Sequence, residues 1–438
     1  MPGSANTHWL NSLFMKIFSV IPGDNPGYLR LHAVFAFPFF AQGVFRLSGL
    51  IKSKAAGLVF YCLVVFNPYL LDFFSLARGY GLALTFQAWS LLLFVGALQK
   101  PFNYRSWLTI ILLSTLCLGG NLSYLYMILG MMLAFILYVW SYLSKNTGYK
   151  IKEIRNIILL FAVLVMVAVA NLLFIRFYGK DLGYGGDNDF LHSLIGSTWE
   201  GSLYFADYSA ISDILTYCTI ILLLLICLYH SFRVILEKKM NTGFILCVPV
   251  VSIMLLTILF HLFFDTPFLY GRTALQWYVP GILVICYSIS WLLPGRKHFR
   301  LALFGLSVFL SVAIIYHLGT RYNSRYCFEW NFQANNRQVL YDLYAMHPVH
   351  PQINPVLRGV YFNYYILTDK GFSVPEAGVL SESENMVCNE PFRQSLLNSD
   401  YIVTWFPGTT DCLDKNHIAY SVIKTYPYSQ NKLIRILP

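Results

Sequence analysis

Charged residues are scarce in this chain of 438 residues. Asp, Glu, Lys and Arg together make up 12% of the positions, whereas hydrophobic residues make up 57%. Soluble domains usually carry a charge at roughly a quarter of their positions. This shortage excludes an ordinary soluble globular protein. The apolar runs that replace the charges are long enough to indicate a protein that crosses a membrane several times.

The sequence signatures of common catalytic and cofactor sites are also missing. We find no phosphate-binding P-loop, no G-x-S-x-G nucleophile elbow, no H-E-x-x-H zinc motif and no dinucleotide fingerprint. Most of the 9 cysteines lie in apolar runs, where a thiol behaves as a small hydrophobic group. The exceptions are Cys327, Cys388 and Cys412, and no Cys/His spacing predicts a metal site. Cys388 and Cys412 are candidates for one disulfide bond.

The net charge of +10 would suit an acidic partner, but the distribution of the basic residues argues against nucleic acid. Lys and Arg form short clusters between apolar runs instead of following one face. Cytoplasmic loops of membrane proteins are enriched in Lys and Arg, so this pattern reports membrane topology. We therefore expect a lipid membrane and no nucleic-acid partner.

Residues 29–318 predict an all-α polytopic membrane bundle. A helix needs about 20 apolar residues to cross the hydrocarbon core, and shorter segments fit inside a packed bundle. About ten segments meet this description: 30–48, 55–71, 79–98, 106–119, 121–142, 155–177, 211–230, 244–263, 273–293 and 301–318. The fourth and fifth are separated by so few residues, Gly119 to Asn121, that a broken or re-entrant pair is one interpretation of them.

Every second connection between these segments is basic, which places those connections in the cytoplasm. The alternate connections then lie outside: the turn with Asp72 and Arg78, the loop 178–210 and the turn 264–272. This orientation also places Met1 outside with no preceding span. We therefore expect a first helix that this sequence lacks; a short N-terminal tail that crosses the membrane without help is the alternative.

The two ends of the chain differ from the bundle. Residues 1–28 predict an amphipathic juxtamembrane segment, because Trp9, Leu13 and Ile17 recur at helical spacing. Residues 319–438 have ordinary polarity and predict a small extracytoplasmic α/β domain. Its expected elements are a helix over 334–346 and strands over 361–368, 401–405, 420–424 and 432–437, the last two forming a hairpin.

Four groups of polar residues face outward in this topology. They are Asn6 and His8 in the surface segment, Asp72, Arg78 and Tyr80 in the first turn, Trp199 and Glu200 in the outer loop, and Asp265 and Arg272 in the last turn. Arg78 and Arg272 each precede a helix, where the macrodipole is already positive, so an anion is expected beside them. A lipid-linked phosphate would supply it. Ion pairs of Arg78 with Asp72 and of Arg272 with Asp265 are the alternative.

Trp199 and Glu200 belong to an outer loop rich in groups that stack on sugars or form hydrogen bonds with them. We therefore predict that this loop contributes to binding of a sugar or an acceptor.

Several segments together resemble bacterial membrane glycosyltransferases of the GT-C superfamily. The resemblance rests on ANTHWLNSLFMKIF, LLDFFSLARGYGLALTF, LGGNLSYLY and PFLYGRTALQWYVP, followed by a C-terminal domain outside the membrane. The chain is similar in particular to uncharacterised members of the group related to protein mannosyltransferases and lipid-A sugar transferases. The resemblance implies a multi-pass enzyme of the bacterial inner membrane that moves a sugar from a polyprenyl-phosphate donor to a lipid, glycan or protein outside.

The resemblance also implies roles for individual residues. Arg78, Tyr80 and Arg272 would bind the donor phosphate, and His8, together with Asn6, would lie near the acceptor. The catalytic carboxylate of such enzymes usually precedes the surface helix, and this chain has no acid there. Asp72 is the nearest substitute as catalytic base. No cofactor is required by the pattern, although a divalent cation is compatible with it.

Two other functions use the same residues. In a transporter or flippase of lipid-linked glycans, the arginines would bind a headgroup in transit. A non-catalytic relative with a binding domain would account for the missing acid. Transporters more often place charges mid-span and repeat their topology, whereas here the charges collect at the outer border. The sequence therefore favours the glycosyltransferase.

Overall fold

The computed structural model describes residues 8–21, 27–143, 151–178, 189–204, 209–238, 240–292, 297–323, 327–329, 334–346, 353–355, 390–404 and 407–437. The chain divides into two compact units, Met1–Tyr322 and Asn323–Pro438. The division lies slightly later than the expected boundary after residue 318. Each unit is described by itself.

The first unit is helical throughout its described part. Its helices are α1 Trp9–Phe18, α2 Leu31–Ser48, α3 Lys54–Val65, α4 Pro68–Ser75, α5 Tyr80–Leu98, α6 Tyr104–Gly120, α7 Leu125–Leu143, α8 Ile151–Tyr178, α9 Ser197–Leu203, α10 Ser209–Glu237, α11 Thr242–Phe264, α12 Leu275–Leu292 and α13 Lys297–Arg321. Each apolar segment predicted from the sequence coincides with one or two of these helices. The helical bundle is therefore confirmed.

The number of membrane spans differs from the prediction. Among the described residues, 5 helices are long and apolar enough to cross a membrane: α5, α7 with its preceding turn, α10, α11 and α13. A sixth span results if α3 and α4, which meet at an angle of 46°, count as one. The expected count of about ten is thus not confirmed, because other apolar helices, such as the segment Leu275–Trp291 of α12, are short for a membrane span.

Large apolar side chains cover the outside of several helices. Phe35 and Phe39 of α2, Leu262 and Phe263 of α11, and Phe309 of α13 are all exposed. A soluble protein rarely exposes so much apolar surface, whereas hydrocarbon chains of lipids cover it without cost. These faces indicate a membrane protein.

The bend between α3 and α4 is fixed by Asn67, which is 4% exposed. Its side-chain oxygen caps α4 by accepting from the backbone N–H groups of Tyr69 and Leu70. Its amide nitrogen donates to Ser202 Oγ at 2.8 Å and to Tyr278 Oη at 2.9 Å. The bent pair of apolar helices is therefore α3 and α4. We expected such a pair at α6 and α7, which are joined at Asn121, but α7 with its preceding turn is long enough to cross a membrane without α6.

Asn67→Ala tests this junction. We expect it to lower the free energy of unfolding by about 3 kcal/mol, because it removes a helix cap and two buried donors. Asn103→Ala is the matched control, since Asn103 is an exposed cap that accepts from the N–H of Arg105. The control should lose about 1 kcal/mol. Thermal unfolding in detergent, followed by circular dichroism, measures both; equal losses would contradict the role of Asn67.

Two glutamines connect three helices by hydrogen bonds beside a proline. Pro280 has no N–H, so the carbonyl of Gln276, one turn earlier in α12, has no donor within its own helix. Gln87 of α5 donates to that carbonyl at 2.7 Å. The side-chain oxygen of Gln276 in turn accepts from the N–H of Met127, in the first turn of α7. Side chains thus supply the bonds that the helices themselves cannot make.

The second unit is a small α/β domain, as predicted. Its described elements are α14 Asn336–Ala345, α15 Glu390–Leu397, α16 Pro407–Lys415, β1 Ile353–Pro355, β2 Tyr401–Thr404, β3 Tyr420–Thr425 and β4 Lys432–Ile436. The sheet order is β1-β2-β4-β3; β1 is parallel to β2, and the other pairs are antiparallel. The predicted helix over 334–346 and the hairpin are confirmed with ends that differ by one or two residues. The predicted strand 401–405 is confirmed over Tyr401–Thr404, and residue 405 lies outside the described residues. The predicted strand 361–368 lies outside the described residues.

Both faces of this sheet are covered. Val403 and Leu433 pack with Leu343 of α14, whereas their neighbours Ile402 and Ile434 pack against α15 and α16. Adjacent residues of a strand point to opposite faces, which explains why these pairs are apolar at consecutive positions. Cys412 is disulfide-bonded, while its predicted partner Cys388 lies outside the described residues. Cys327 is a free thiol.

Candidate functional site

Helix α1 lies against one end of the bundle through a buried asparagine. Asn11 donates to the carbonyl of Ala77 at 3.1 Å, and its oxygen lies 2.7 Å from Nε2 of His32 at the start of α2. The opposite face of α1 exposes Trp9, Leu13 and Ile17. The described part of the predicted surface segment is therefore an amphipathic helix, anchored beside the turn that carries Arg78.

Two glycines allow α1, α5 and α6 to meet. Gly79 precedes α5, and Gly120 ends α6. A Cβ atom on Gly79 would lie 2.0 Å from the carbonyl oxygen of Gly120 and 3.0 Å from Cβ of His8. No larger residue fits between these backbones. The contact brings His8, which precedes the first turn of α1, against the beginning of α5.

His8 is 7% exposed, and its ring contacts Tyr80 edge-on with the ring centroids 4.8 Å apart. Nε2 has no hydrogen-bond partner in the described part of the chain. The ring also bonds to the backbone of Gly120, and this bond raises the pKa of His8. A bond that favours the protonated ring has the ring as donor, so Nδ1–H donates to the Gly120 carbonyl. Nε2 then presents a lone pair.

The charges of Arg78 and Arg272 both act on this imidazole. Burial, then Arg78, and more weakly Arg272 lower the pKa of His8 from the ordinary value of 6.5 to about 4. The ring is therefore neutral at neutral pH. We call His8, Arg78, Tyr80 and Arg272 the His8 cluster. All four were predicted as site residues; Tyr80 contacts the imidazole, and the charges of Arg78 and Arg272 act on it.

Arg272 is held by the turn between α11 and α12. Gly271 before it has φ of 52°, a left-handed conformation that favours glycine, and its N–H donates to Oγ of Ser197 in α9 at 2.8 Å. Asp265 is exposed and forms no ion pair with any residue the structure describes. The alternative pairing of Arg272 with Asp265 is thus wrong for the described residues.

Asp72 is half-buried on α4, and its carboxylate is held by one phenol. Oη of Tyr204 lies 3.0 Å from Oδ1 and 2.9 Å from Oδ2. The charges that shift the pKa of His8 are those of Arg78 and Arg272, and Asp72 is not among them. Asp72, the predicted catalytic base, therefore lies beside Tyr204, and its catalytic role stays a prediction.

The two outer-loop residues lie on different faces of α9. Trp199 is 9% exposed, its indole N–H donates to Thr219 Oγ1 at 3.1 Å, and its ring packs edge-on against Tyr278. This ring serves packing and is not open to a sugar.

Glu200 is half-buried, and its carboxylate lies 3.7 Å from Nε2 of His192. It follows Ser197 by one turn, on the face of α9 that contacts Gly271. Asn6 lies outside the described residues.

Tyr124 was not predicted from the sequence. It is fully buried in the short turn before α7, and its hydroxyl has no hydrogen-bond partner among the residues described. Tyr80 is near enough to act on it electrostatically. The motif LGGNLSYLY contains Tyr124, so the break after Gly120 was the available signal. The described residues contain no group of three or more His, Cys, Asp or Glu side chains that could hold a metal ion.

Comparison with known proteins adds nothing to this geometry. No protein-family model and no curated protein sequence matches the chain.

Proposed function

We propose that the protein is a membrane glycosyltransferase that transfers a sugar from a polyprenyl-phosphate donor to a hydroxyl-bearing acceptor. The observation that carries the proposal is the convergence of Arg78 and Arg272 on one buried, neutral imidazole. Two half-buried guanidinium groups whose charges both act on one imidazole favour a bound anion near it. A guanidinium matches phosphate oxygens in a bidentate manner.

The surroundings of the cluster suit a lipid-linked phosphate better than a soluble one. Helix α1 presents Trp9, Leu13 and Ile17 outward beside the cluster, as an interfacial helix does. A donor anchored by a polyprenyl chain would have its phosphate at this level. We place the cluster and the C-terminal domain on the extracytoplasmic side of a bacterial inner membrane, as the basic connections predict. The acceptor is then a lipid, a glycan or a protein.

The activity can be measured with the purified chain in liposomes that contain polyprenyl-phosphate-linked hexoses or pentoses together with a lipid, glycan or protein acceptor. We expect release of polyprenyl monophosphate that requires the protein, and a loss of about 100-fold in Arg78→Gln, which keeps a donor but removes the charge. Arg105→Gln is the matched control, because Arg105 also begins a helix but is exposed at the start of α6. Equal activity of both variants, or no release from any donor, would contradict the proposal.

One observation favours a transporter or flippase of lipid-linked glycans. The bent pair α3 and α4 is a broken span or a re-entrant element, a feature common in transporters. In the same liposomes a flippase would move a fluorescent polyprenyl-phosphate sugar between leaflets while the bond between sugar and phosphate stays intact. Cleavage of that bond without movement supports the glycosyltransferase.

A further inference from the structure

We propose that Nε2 of His8 receives the proton of the acceptor hydroxyl during sugar transfer. This inference rests on the proposed function and assigns a catalytic base that differs from Asp72. The hydroxyl oxygen attacks the anomeric carbon, and the bond from that carbon to the phosphate oxygen breaks. The bonding electrons leave with the phosphate, while the proton moves to Nε2. The products are the glycoside, the lipid phosphate and an imidazolium.

The orientation of the imidazole supports this role. Gly120 is the last residue of α6, so its carbonyl has no partner in its own helix and is free to accept from Nδ1–H of His8. This bond fixes the tautomer in which Nε2 carries the lone pair. A base that is hydrogen-bonded on its far nitrogen is oriented for proton transfer at the other.

The buried, unpartnered Nε2 of His8 supports a ligand at this position. His8 is 7% exposed, and no described residue donates to Nε2. Buried polar atoms normally have a partner, and an unpartnered one marks a strained or functional position. Because Nε2 accepts, the missing partner is a donor. The hydroxyl of Tyr124, on which Tyr80 acts electrostatically, is a second buried polar atom without a partner among the described residues.

The charges around His8 allow the proton to be held once the donor is bound. The groups facing the ring are Arg78 from the turn before α5, Arg272 from the turn before α12 and the phenol of Tyr80. Both cations oppose a proton on the ring while the site is empty. A phosphate between them offsets their charge, and the negative charge that develops on it during transfer attracts the imidazolium.

Asp72 is less suited to this step. Its two oxygens share the hydroxyl of Tyr204, and its charge is not among those that act on His8. The carboxylate therefore has a protein partner, whereas Nε2 of His8 has none in the described part of the structure.

His8→Asn separates the chemistry from the structure. The amide nitrogen of Asn takes the place of Nδ1 and keeps the bond to Gly120, but nothing replaces Nε2. We expect kcat for transfer in liposomes to fall by about 10²- to 10⁴-fold. His8→Gln places an amide that cannot accept a proton near Nε2 and should lose as much. Arg105→Gln, at an exposed residue outside the cluster, is the control.

The pH profile distinguishes a base from a structural residue. In the wild-type protein the neutral ring is active, so the rate falls as the pH drops. The acid limb should lie near pH 4 for kcat/KM, as in the free protein, and at higher pH for kcat, because bound phosphate raises the pKa of His8. Both limbs should be missing from the residual activity of His8→Asn.

Proton uptake provides a readout that needs no transfer. When polyprenyl monophosphate binds at about pH 5.5, calorimetry in buffers of different ionisation enthalpy should show protons taken up by the wild-type protein and fewer by His8→Asn. Unchanged kcat and an unchanged pH profile in a folded His8→Asn protein would overturn the inference alone. Absence of transfer by the wild-type protein would overturn the proposed function and this role with it.

Discussion

Gly79→Ala should prevent α5 and α6 from meeting and lower the free energy of unfolding by about 3 kcal/mol or more. The added Cβ would lie 2.0 Å from the carbonyl oxygen of Gly120, a backbone atom that cannot swing aside. Gly79 has φ of −73°, which alanine adopts readily, so the whole effect comes from the close approach. Thermal unfolding in detergent, followed by circular dichroism, measures it.

Gly96→Ala is the matched control. Gly96 lies in the same helix, α5, and a Cβ atom there would meet nothing within 4 Å. Alanine is the better helix former, so this variant should be neutral or slightly stabilising. If Gly79→Ala unfolds at the same temperature as Gly96→Ala, then α5 and α6 do not approach as closely as described, and the geometry of the His8 cluster fails with them.

Arg272→Gln is expected to reduce kcat for transfer by about 100-fold, because it removes one of the charges that would stabilise the departing lipid phosphate. It should also raise the pKa of His8 from about 4, since Arg272 is one of the two cations that lower it. NMR titration of a protein labelled at histidine reports this pKa without any assay of activity. An unchanged pKa would show that Arg272 does not act on the ring.

The double variant with Arg78→Gln tests whether the two arginines serve one ligand. If both bind the same phosphate, the loss in the double variant should be smaller than the product of the single losses, because removing either already disrupts the site. Arg105→Gln remains the control. Strictly multiplicative losses would indicate two independent sites.

The sequence predicted the helices well because apolar composition and length are local properties. It did not predict the bend between α3 and α4, since this bend depends on bonds of Asn67 to Ser202 and Tyr278, which are distant in the chain. In the second unit, strands β2, β3 and β4 contain enough β-branched, aromatic and aliphatic residues to be recognised. Strand β1 has three residues and is defined by its parallel pairing with β2, so no local pattern identified it.

The candidate site shows the same division. His8, Arg78 and Arg272 were predicted because charge and polarity are unusual in such an apolar chain. Their convergence depends on the approach of Gly79 to Gly120, which no local pattern predicts. The role of Trp199 was predicted from its chemistry alone, whereas its bond to Thr219 determines which way the ring points.

Helix α1 has a consequence for how a substrate would be found. Its exposed Trp9, Leu13 and Ile17 set its depth at the membrane surface, and Asn11 couples that depth to Ala77, the residue before Arg78. Headgroups of lipids in the same leaflet travel at this height. A lipid-borne substrate would therefore reach the cluster by lateral diffusion within the membrane, with its headgroup at the depth of the cluster. The rate of encounter would then depend on the surface density of the substrate and not on its concentration in water.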